Sequence, residues 1–588
     1  MLRKTKIVAT MGPAVDNIET MKDLLRAGLN VARFNFSHGT HEEQQGRIEM
    51  LRAAAAETGI PVALLLDTKG PEIRTGLVEG GGTITLERGK QIILTTDAID
   101  GNAELLSVTY QHLPYEVQSG GHIFIADGLI DLEVEETRDN RIHCVVRNGG
   151  TIGSRKNVNV PGVKTSLPAV TEKDIADIEF GMRMEMDYIA ASFIRKAKDV
   201  QSIQQIIDRG KSPIRIISKI EDEEGLENIG DITRLSAGIM VARGDLGVQL
   251  ETEQIPLAQK RIIRECNLQN KPVITATQML DSMIHNPKPT RAELTDVANA
   301  IFDGTDAVML SGETAGGKYP VESVRTLHRI ALEVERSREY RERSKEYFFF
   351  HKSSSDIADA ITKAAYVVAT DVEASAIVSP TLRGNSPRLI SKYRPVQPVI
   401  AVTISEVVYR QLLLHWGIYP LITEYVNDSD LMVQNALRLA LKNGYVKRNE
   451  KVVTAAGIPL NSPIMMNTIK VHFMGNILNR GQRGFGRICS GNIVKARNYE
   501  QAKQRLKLDG TEILLIPEIS PEYGPLLKHV RGLIVEAKPT MTTDEIKTIN
   551  PDLVFVTDVR DAYRQLENRQ SISIDGDEKI IYEGYLEA

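Results

Sequence analysis

Eight short runs of β-branched and small apolar residues, with helix-like sequence between most of them, constrain this fold more than any other feature. They are KIVAT (6–10), NVARFNF (30–36), VALLLDT (62–68), YIAASF (188–193), RIISKI (215–220), GIMVAR (238–243), PVITAT (272–277) and AVMLS (307–311). The runs hardly alternate between apolar and polar residues. A strand without a polar face is buried on both sides, as in a parallel sheet. The segments between them carry helix punctuation: NIETMKDLLRAG closes on a glycine, and TEKDIADIEFGM opens on a threonine with acidic residues in its first turn. Eight strands with intervening helices is the count of a (β/α)8 barrel, in an α/β chain. A doubly wound open sheet is the alternative, and the count of eight favours the barrel.

With 588 residues the chain exceeds one core, and three or four domains are expected. The alternation lapses between Pro71 and Gly162, where EGGGTITL, NGGTIGS and the period-2 stretch HIFIADGLIDLEVEE read as an all-β insertion after the third strand. ALEVERSREYRERSKE (331–346) reads as a solvated helix and linker. Beyond it, IADAITKAAYVVATDV, SAIVSP, PVIAVTI and KVVTAAG give a separate α/β unit, and TEILLIPEI, RGLIVEA and PDLVFVTDV give another. The expected domains are therefore 1–70 with 163–345 (barrel), 71–162 (β-rich), 353–474 (α/β) and 475–588 (a further C-terminal unit).

Composition narrows the function class. A net charge of −5 offers no basic field for nucleic acid or an anionic membrane, so neither is expected as a partner. No run of about 18 apolar residues predicts a membrane span, and MLRKTKIVAT has no apolar stretch of signal-peptide length. Cys144, Cys266 and Cys489 form no CxxC pair, which argues against a disulfide framework or a cysteine zinc site and fits a reducing cytoplasm.

In a (β/α)8 barrel the active site lies at the C-terminal strand ends. There the sequence places Arg33-Phe34-Asn35-Phe36-Ser37-His38 (strand two), Asp67-Thr68-Lys69 (three), Lys219-Ile220-Glu221 (five), Arg243-Gly244-Asp245 (six), Thr277 (seven) and Ser311-Gly312-Glu313 (eight). Charge converging from six strands is not what stability requires, because unpaired charge near a core costs several kcal/mol, of order 3–5. Glu221 and Asp245 offer hard oxygen ligands of the kind Mg2+ or Mn2+ takes. Lys219 and Arg33 offer the fixed positive charge that phosphoryl transfer needs.

These segments also carry a family resemblance. TKIVATMGPA, NVARFNFSHGTHEE, LLDTKGPEIRTG, IISKIEDEEGLENI, VARGDLGV, KPVITATQMLDSM and PKPTRAELTDVANAIFDGTDAVMLSGET resemble pyruvate kinase motifs, in order, from the start of the chain to about residue 475. The resemblance implies transfer of the phosphoryl group of phosphoenolpyruvate to ADP, the last step of glycolysis, by a cytoplasmic homotetramer. It implies Arg33 as a substrate contact, and Asn35, Ser37, Asp67 and Thr68 as ligands of a monovalent cation, normally K+. Glu221 and Asp245 become the Mg2+ ligands, and Gly244, Asp245 and Thr277 touch phosphoenolpyruvate. Lys219 stabilises the phosphoryl in flight, while Arg74 and Lys156 reach the nucleotide phosphates. The 71–162 insertion becomes a water-excluding lid with Asp127 near the site. In the family, an acid at the position of Glu72 accompanies K+ dependence.

The same resemblance makes 353–474 an effector-type domain, with Thr381-Leu382-Arg383-Gly384-Asn385-Ser386 as a phosphate loop for a phosphorylated small-molecule effector. GIPLNSPIMMN (457–467) departs from the glycines and hydroxyls expected to complete that pocket. Residues 475–588 resemble the extra domain of some bacterial pyruvate kinases, itself similar to a phosphohistidine domain. Yet no histidine follows RGLIVEA, and the only one in the segment, His529, precedes it.

Read alone, several of these residues have plainer roles. Arg33 pairs with Asp67, Glu221 and Asp245 are solvated loop acids, Thr277 is a rim hydroxyl, and Asn35, Ser37 and Thr68 cap helices. His38 reads as a hydrogen-bonded structural group. GETAGGKY (312–319) nearly spells a P-loop but ends in tyrosine, so the metal-binding hydroxyl is missing. GQRGFGR (481–487) reads as a domain junction rather than a dinucleotide fingerprint. The rival functions are a degenerate, non-catalytic binding protein and a phosphoenolpyruvate-binding lyase.

Overall fold

The computed structural model describes residues 2–343, 356–448, 450–459, 466–474 and 477–585. Contacts divide the chain into two units: Met1–His351 with Arg410–Gly417, and Lys352–Tyr409 with Ile418–Ala588.

In the first unit all eight apolar runs are strands: β1 (Lys6–Met11), β2 (Val31–Asn35), β3 (Ala63–Asp67), β4 (Tyr188–Ala191), β5 (Arg215–Ile220), β6 (Gly238–Ala242), β7 (Val273–Ala276) and β8 (Ala307–Leu310). They close into a parallel barrel in sequence order, β8 pairing with β1. The open-sheet alternative is thereby excluded. Alternate residues fall into two cores, which explains the missing polar face. Val8, Val31, Leu65, Ala190, Ile217 and Met240 pack inside the barrel, and Ile7, Ala32, Leu64, Ile189, Ile216 and Ile239 pack against the helices.

The helix signals also act as read. Asn17 caps Ile18–Ala27, accepting from the Thr20 N–H at 2.8 Å, and the chain leaves through Gly28 at φ 110°. Thr171 and Asp174 form a reciprocal capping box on Glu172–Arg183. The charged 331–346 stretch is less solvated than expected, because Pro320–Arg336 is amphipathic and buries Ala331, Val334 and Glu335. The Glu335 carboxylate accepts from the N–H groups of Lys4 and Thr5. Residues 344–346 lie outside the described residues. The segment Arg410–Gly417, drawn from the downstream sequence, closes the barrel interior: Leu413 and Leu414 join the inner core, and Arg410 pairs with buried Asp187 at 2.9 Å.

The insertion after β3 is all-β. Seven of its strands form one sheet, and Ile84–Leu86 pairs with Gly150–Ile152 beside it. The period-2 stretch is a hairpin, His122–Ile125 against Ile130–Arg138, turning through Ala126 and Asp127 at positive φ and Gly128.

The second unit contains a five-stranded sheet in the order Ile418–Ile422, Val399–Thr403, Ala376–Pro380, Lys451–Ala456, Thr468–Phe473, only the last pairing antiparallel. It also contains an eight-stranded sheet built on Cys489–Lys495, Glu512–Ile516, Gly532–Val535 and Val554–Thr557 in parallel. GQRGFGR is not a junction: Arg483–Phe485 is one edge strand of that sheet, paired with Val554–Thr557. Residues 460–465 of the departing loop lie outside the described residues. Among the described residues no helix is long and apolar enough to cross a membrane.

Candidate active site

The strand period positions the site. Extending the inward-facing register past Val8, Val31, Leu65, Ala190 and Ile217 brings Thr10, Arg33, Asp67, Ser192 and Lys219 to the C-terminal rim. They form one chain of contacts. Arg33 donates from Nη1 to Thr10 Oγ1 at 2.8 Å and from Nε to Asp67 Oδ2 at 2.6 Å. Lys219 Nζ lies 3.2 Å from Asp67 Oδ1, 2.9 Å from Glu221 Oε1 and 2.7 Å from Ser192 Oγ. The plainer reading of Arg33 as the ion-pair partner of Asp67 is thus realised, but the pair is embedded in a larger network.

Charge and burial set the protonation states. Burial alone would raise the Asp67 carboxyl, but the Arg33 and Lys219 charges outweigh it and hold it below the usual range. Burial works against the Lys219 ammonium too, and Asp67, Glu221 and Asp245 reverse the balance and keep it charged. Glu221 and Asp245 are not solvated loop acids. Burial pushes the carboxyl of each upward, and the mutual proximity of the two acids adds to the rise at Glu221 although Lys219 opposes it. Two desolvated carboxyls held together against their charge fit a divalent cation, whose binding would relieve both strains. No cluster of three or more His, Cys, Asp or Glu with metal-site geometry occurs among the described residues, so water and substrate oxygens would complete such a shell.

Thr277 and Gln278 adopt left-handed conformations, at φ 66° and 52°. For a β-branched residue this costs on the order of 1–3 kcal/mol. Buried Arg243 sustains it, donating from Nη2 to the Thr277 carbonyl and from Nε to the Ala276 carbonyl at 3.1 Å, with its Nη1 on Asp296 at 2.7 Å. The Gly244 N–H donates to Thr277 Oγ1 at 2.9 Å, which joins the ends of β6 and β7.

The proposed monovalent-cation residues are only partly assembled around shared contacts. Asn35 Oδ1 accepts from the Ser37 N–H at 3.1 Å, and the following helix is capped by Thr40 instead. Thr68 Oγ1 accepts from the Ser192 N–H at 3.2 Å, so it caps no helix either. The His38 ring is exposed and makes no hydrogen bond to another described residue, contrary to the structural role expected of it.

Above the rim lies the all-β insertion. A cleft of about 190 Å³ between the two is lined by Glu72, Asn157, Phe193, Arg195, Asp222 and Asp245, among others. Arg195 grips the irregular segment that returns to the barrel, donating to Thr165 Oγ1 at 2.7 Å and to the Leu167 carbonyl at 2.6 Å. Arg74 pairs with Glu72 at 2.6 Å and donates to the Arg155 carbonyl at 2.8 Å, and Lys69 lies 3.6 Å from Glu72. Glu72 is therefore no bare negative charge, and its environment gives no independent reason for a bound cation. Lys156 is exposed, with its backbone bonded to Thr75. Asp127 accepts from Asn157 and is near enough to bear on Asp245.

The comparisons fit this geometry. The family described as "Pyruvate kinase, barrel domain" matches residues 2–324, and "Pyruvate kinase, alpha/beta domain" matches 359–472. The pyruvate kinase of Geobacillus stearothermophilus is 45% identical over 593 aligned residues, covering 100% of this chain and 99% of that protein. That of Sporosarcina psychrophila is 42% identical, covering 99% of each. The chain belongs to the pyruvate kinase family. Members of the family transfer the phosphoryl group of phosphoenolpyruvate to ADP, and this chain is a phosphotransferase of that glycolytic reaction. A crystal structure of a Cryptosporidium parvum pyruvate kinase superposes with a TM-score of 0.77 at 41% identity, covering 80% of this chain and 96% of that one.

Sequence reasoning missed Thr10, Ser192, Arg195 and the clamping role of Arg243. The signal for the first two was present, because strands one and four end there as the other six end at the residues already named.

Proposed function

We propose that Lys219, Arg33 and Thr277 carry the pyruvate kinase reaction, that Arg33, Gly244, Asp245 and Thr277 bind phosphoenolpyruvate, and that Arg74 and Lys156 bind ADP. The single observation that carries this reading is Lys219, a buried ammonium kept charged by Asp67, Glu221 and Asp245 at the barrel rim beneath the insertion. A terminal β-phosphate oxygen of ADP attacks the donor phosphorus in line, and the bond from phosphorus to the enol oxygen breaks. The leaving enolate of pyruvate then takes a proton at carbon. The transition state spreads negative charge over the phosphoryl oxygens, where preorganised cations act most strongly. Lys219 and Arg33 supply that charge, Thr277 and the Gly244 N–H orient the donor, and the insertion excludes water that would otherwise hydrolyse it.

Glu221 and Asp245 would hold Mg2+ or Mn2+, and Asn35, Ser37, Asp67 and Thr68 would hold K+. These cations, when bound, neutralise phosphoryl charge. Family membership supports both, and the strained carboxyl pair supports the first. We extend the reading to a cytoplasmic homotetramer and to a phosphorylated effector at Thr381–Ser386, both supported by family membership. There Gly384, at φ 77°, directs its N–H to Thr381 Oγ1 and opens the helix Asn385–Lys392.

A coupled assay of pyruvate formation tests the core of the proposal. Turnover should require phosphoenolpyruvate, ADP and free Mg2+ or Mn2+ together. Equal rates with the metal chelated, or without ADP, would refute it.

A further inference from the structure

Lys219 Nζ has three N–H donors, and the structure accounts for all of them: Asp67 Oδ1, Glu221 Oε1 and Ser192 Oγ. To engage a phosphoryl group the ammonium must release an acceptor. Glu221 is the one that the divalent cation would draw away, which leaves Asp67 and Ser192 as tethers. Of these, Ser192 makes the shorter contact. Because an ammonium can only donate, the Ser192 oxygen accepts there, and its single proton must go elsewhere. The Thr68 carbonyl lies at 2.7 Å and Asp67 Oδ1 at 3.4 Å, so the proton goes to Thr68. The bonds run in one direction, from Lys219 through the Ser192 hydroxyl to the Thr68 carbonyl, so each strengthens the next.

The backbone fixes Ser192 as firmly as its side chain. Its N–H donates to Thr68 Oγ1 at 3.2 Å, and the residue is 3% exposed. Gly70, at φ 72°, allows the loop after β3 to come this close. A Cβ there would lie 2.8 Å from the Ser192 Cβ and 2.9 Å from the Phe193 ring. Ser192 is thus a rigid neutral bridge between the ammonium of Lys219 and the Asp67–Thr68 loop.

Building on the role proposed above for Lys219, the geometry points to Ser192 as a positioning residue for phosphoryl transfer, one that aims the Lys219 ammonium and locks it to the Asp67–Thr68 loop. A neutral acceptor suits the task. A third carboxylate would hold the ammonium too tightly to release it, and an alanine would leave both a buried N–H and the Thr68 carbonyl unsatisfied.

The test is a double-mutant cycle of Ser192→Ala and Lys219→Met, with Ser192→Thr as the conservative variant. Ser192→Ala should lower kcat by about 10- to 100-fold, the usual worth of a hydrogen bond to a charged group, with KM for phosphoenolpyruvate within about threefold of the parent. Ser192→Thr keeps the hydroxyl and should recover most of the loss. In the Lys219→Met background, Ser192→Ala should change kcat by less than about twofold, because its target is gone. A purely structural role predicts instead the same factor in both backgrounds, alongside a matching fall in thermal midpoint, and that result would overturn the inference. So would a Ser192→Ala kcat within about twofold of the parent. The two readings fail separately: Lys219→Met alone tests the lysine, and the cycle tests whether Ser192 acts through it.

Discussion

Replacing Lys219 by methionine removes one positive charge from a buried site while keeping an unbranched side chain of similar length. Its Nζ lies within 3.2 Å of Asp67 and Glu221, so the site holds a cation close to where phosphoryl charge would develop. A unit charge about 4 Å from the transferring group, at an effective dielectric near 20, is worth roughly 4 kcal/mol. At about 1.4 kcal/mol per decade, that is a loss of about 10³-fold in kcat. KM for phosphoenolpyruvate should move less, because the term is largest in the transition state. The half-saturating Mg2+ concentration should not rise, since Glu221 and Asp245 lose a positive neighbour and become better ligands. The Lys219 pKa is raised, so its folded-state stabilisation is fully present below the unfolded lysine value of 10.5 and is lost only as pH climbs through the higher folded value. The ammonium stays charged across neutral pH, so its own titration adds no pH dependence to the deficit between about pH 6 and pH 9. Steady-state pyruvate formation at saturating ADP and Mg2+ measures all of this. A rate within about tenfold of the parent would refute the assigned role.

Further outcomes follow from the same geometry. Arg243→Lys keeps the charge but not the planar fork that holds Thr277 and Ala276, so kcat should fall by about tenfold or more, and unchanged turnover would show that the strained conformation needs no clamp. Removing K+ and Na+ should depress turnover, and K+ should raise the thermal midpoint of the substrate-free protein. Full activity in a buffer free of both ions would contradict the cation assignment of Asn35, Ser37, Asp67 and Thr68. Incubation with labelled phosphoenolpyruvate should leave no acid-labile phosphoryl group on residues 475–588, because exposed His529 lies in the turn before the strand Gly532–Val535 rather than after it. A label mapped to that segment would overturn this.

The sequence by itself determined the barrel, the inserted β-unit and the identity of most rim residues. Strands buried on both faces must be apolar throughout, and a fold that carries its chemistry at strand ends must break that apolar run with polar residues at known places. Arg33, Asp67, Lys219, Glu221 and Asp245 were legible for that reason. Tertiary structure decided which groups share a contact. Nothing local tells that Ser192, just past β4, would face Lys219, on β5, or that Arg243 would hold the strained Thr277. Nor does sequence reveal that Glu72 is matched by Arg74, or that Leu413 and Leu414, after a separate α/β segment, would fill the floor of the barrel. Side-chain type and period are written along the chain, and so they fix faces and strand ends. Pairing between strands depends on barrel closure, which brings together residues from distant parts of the sequence.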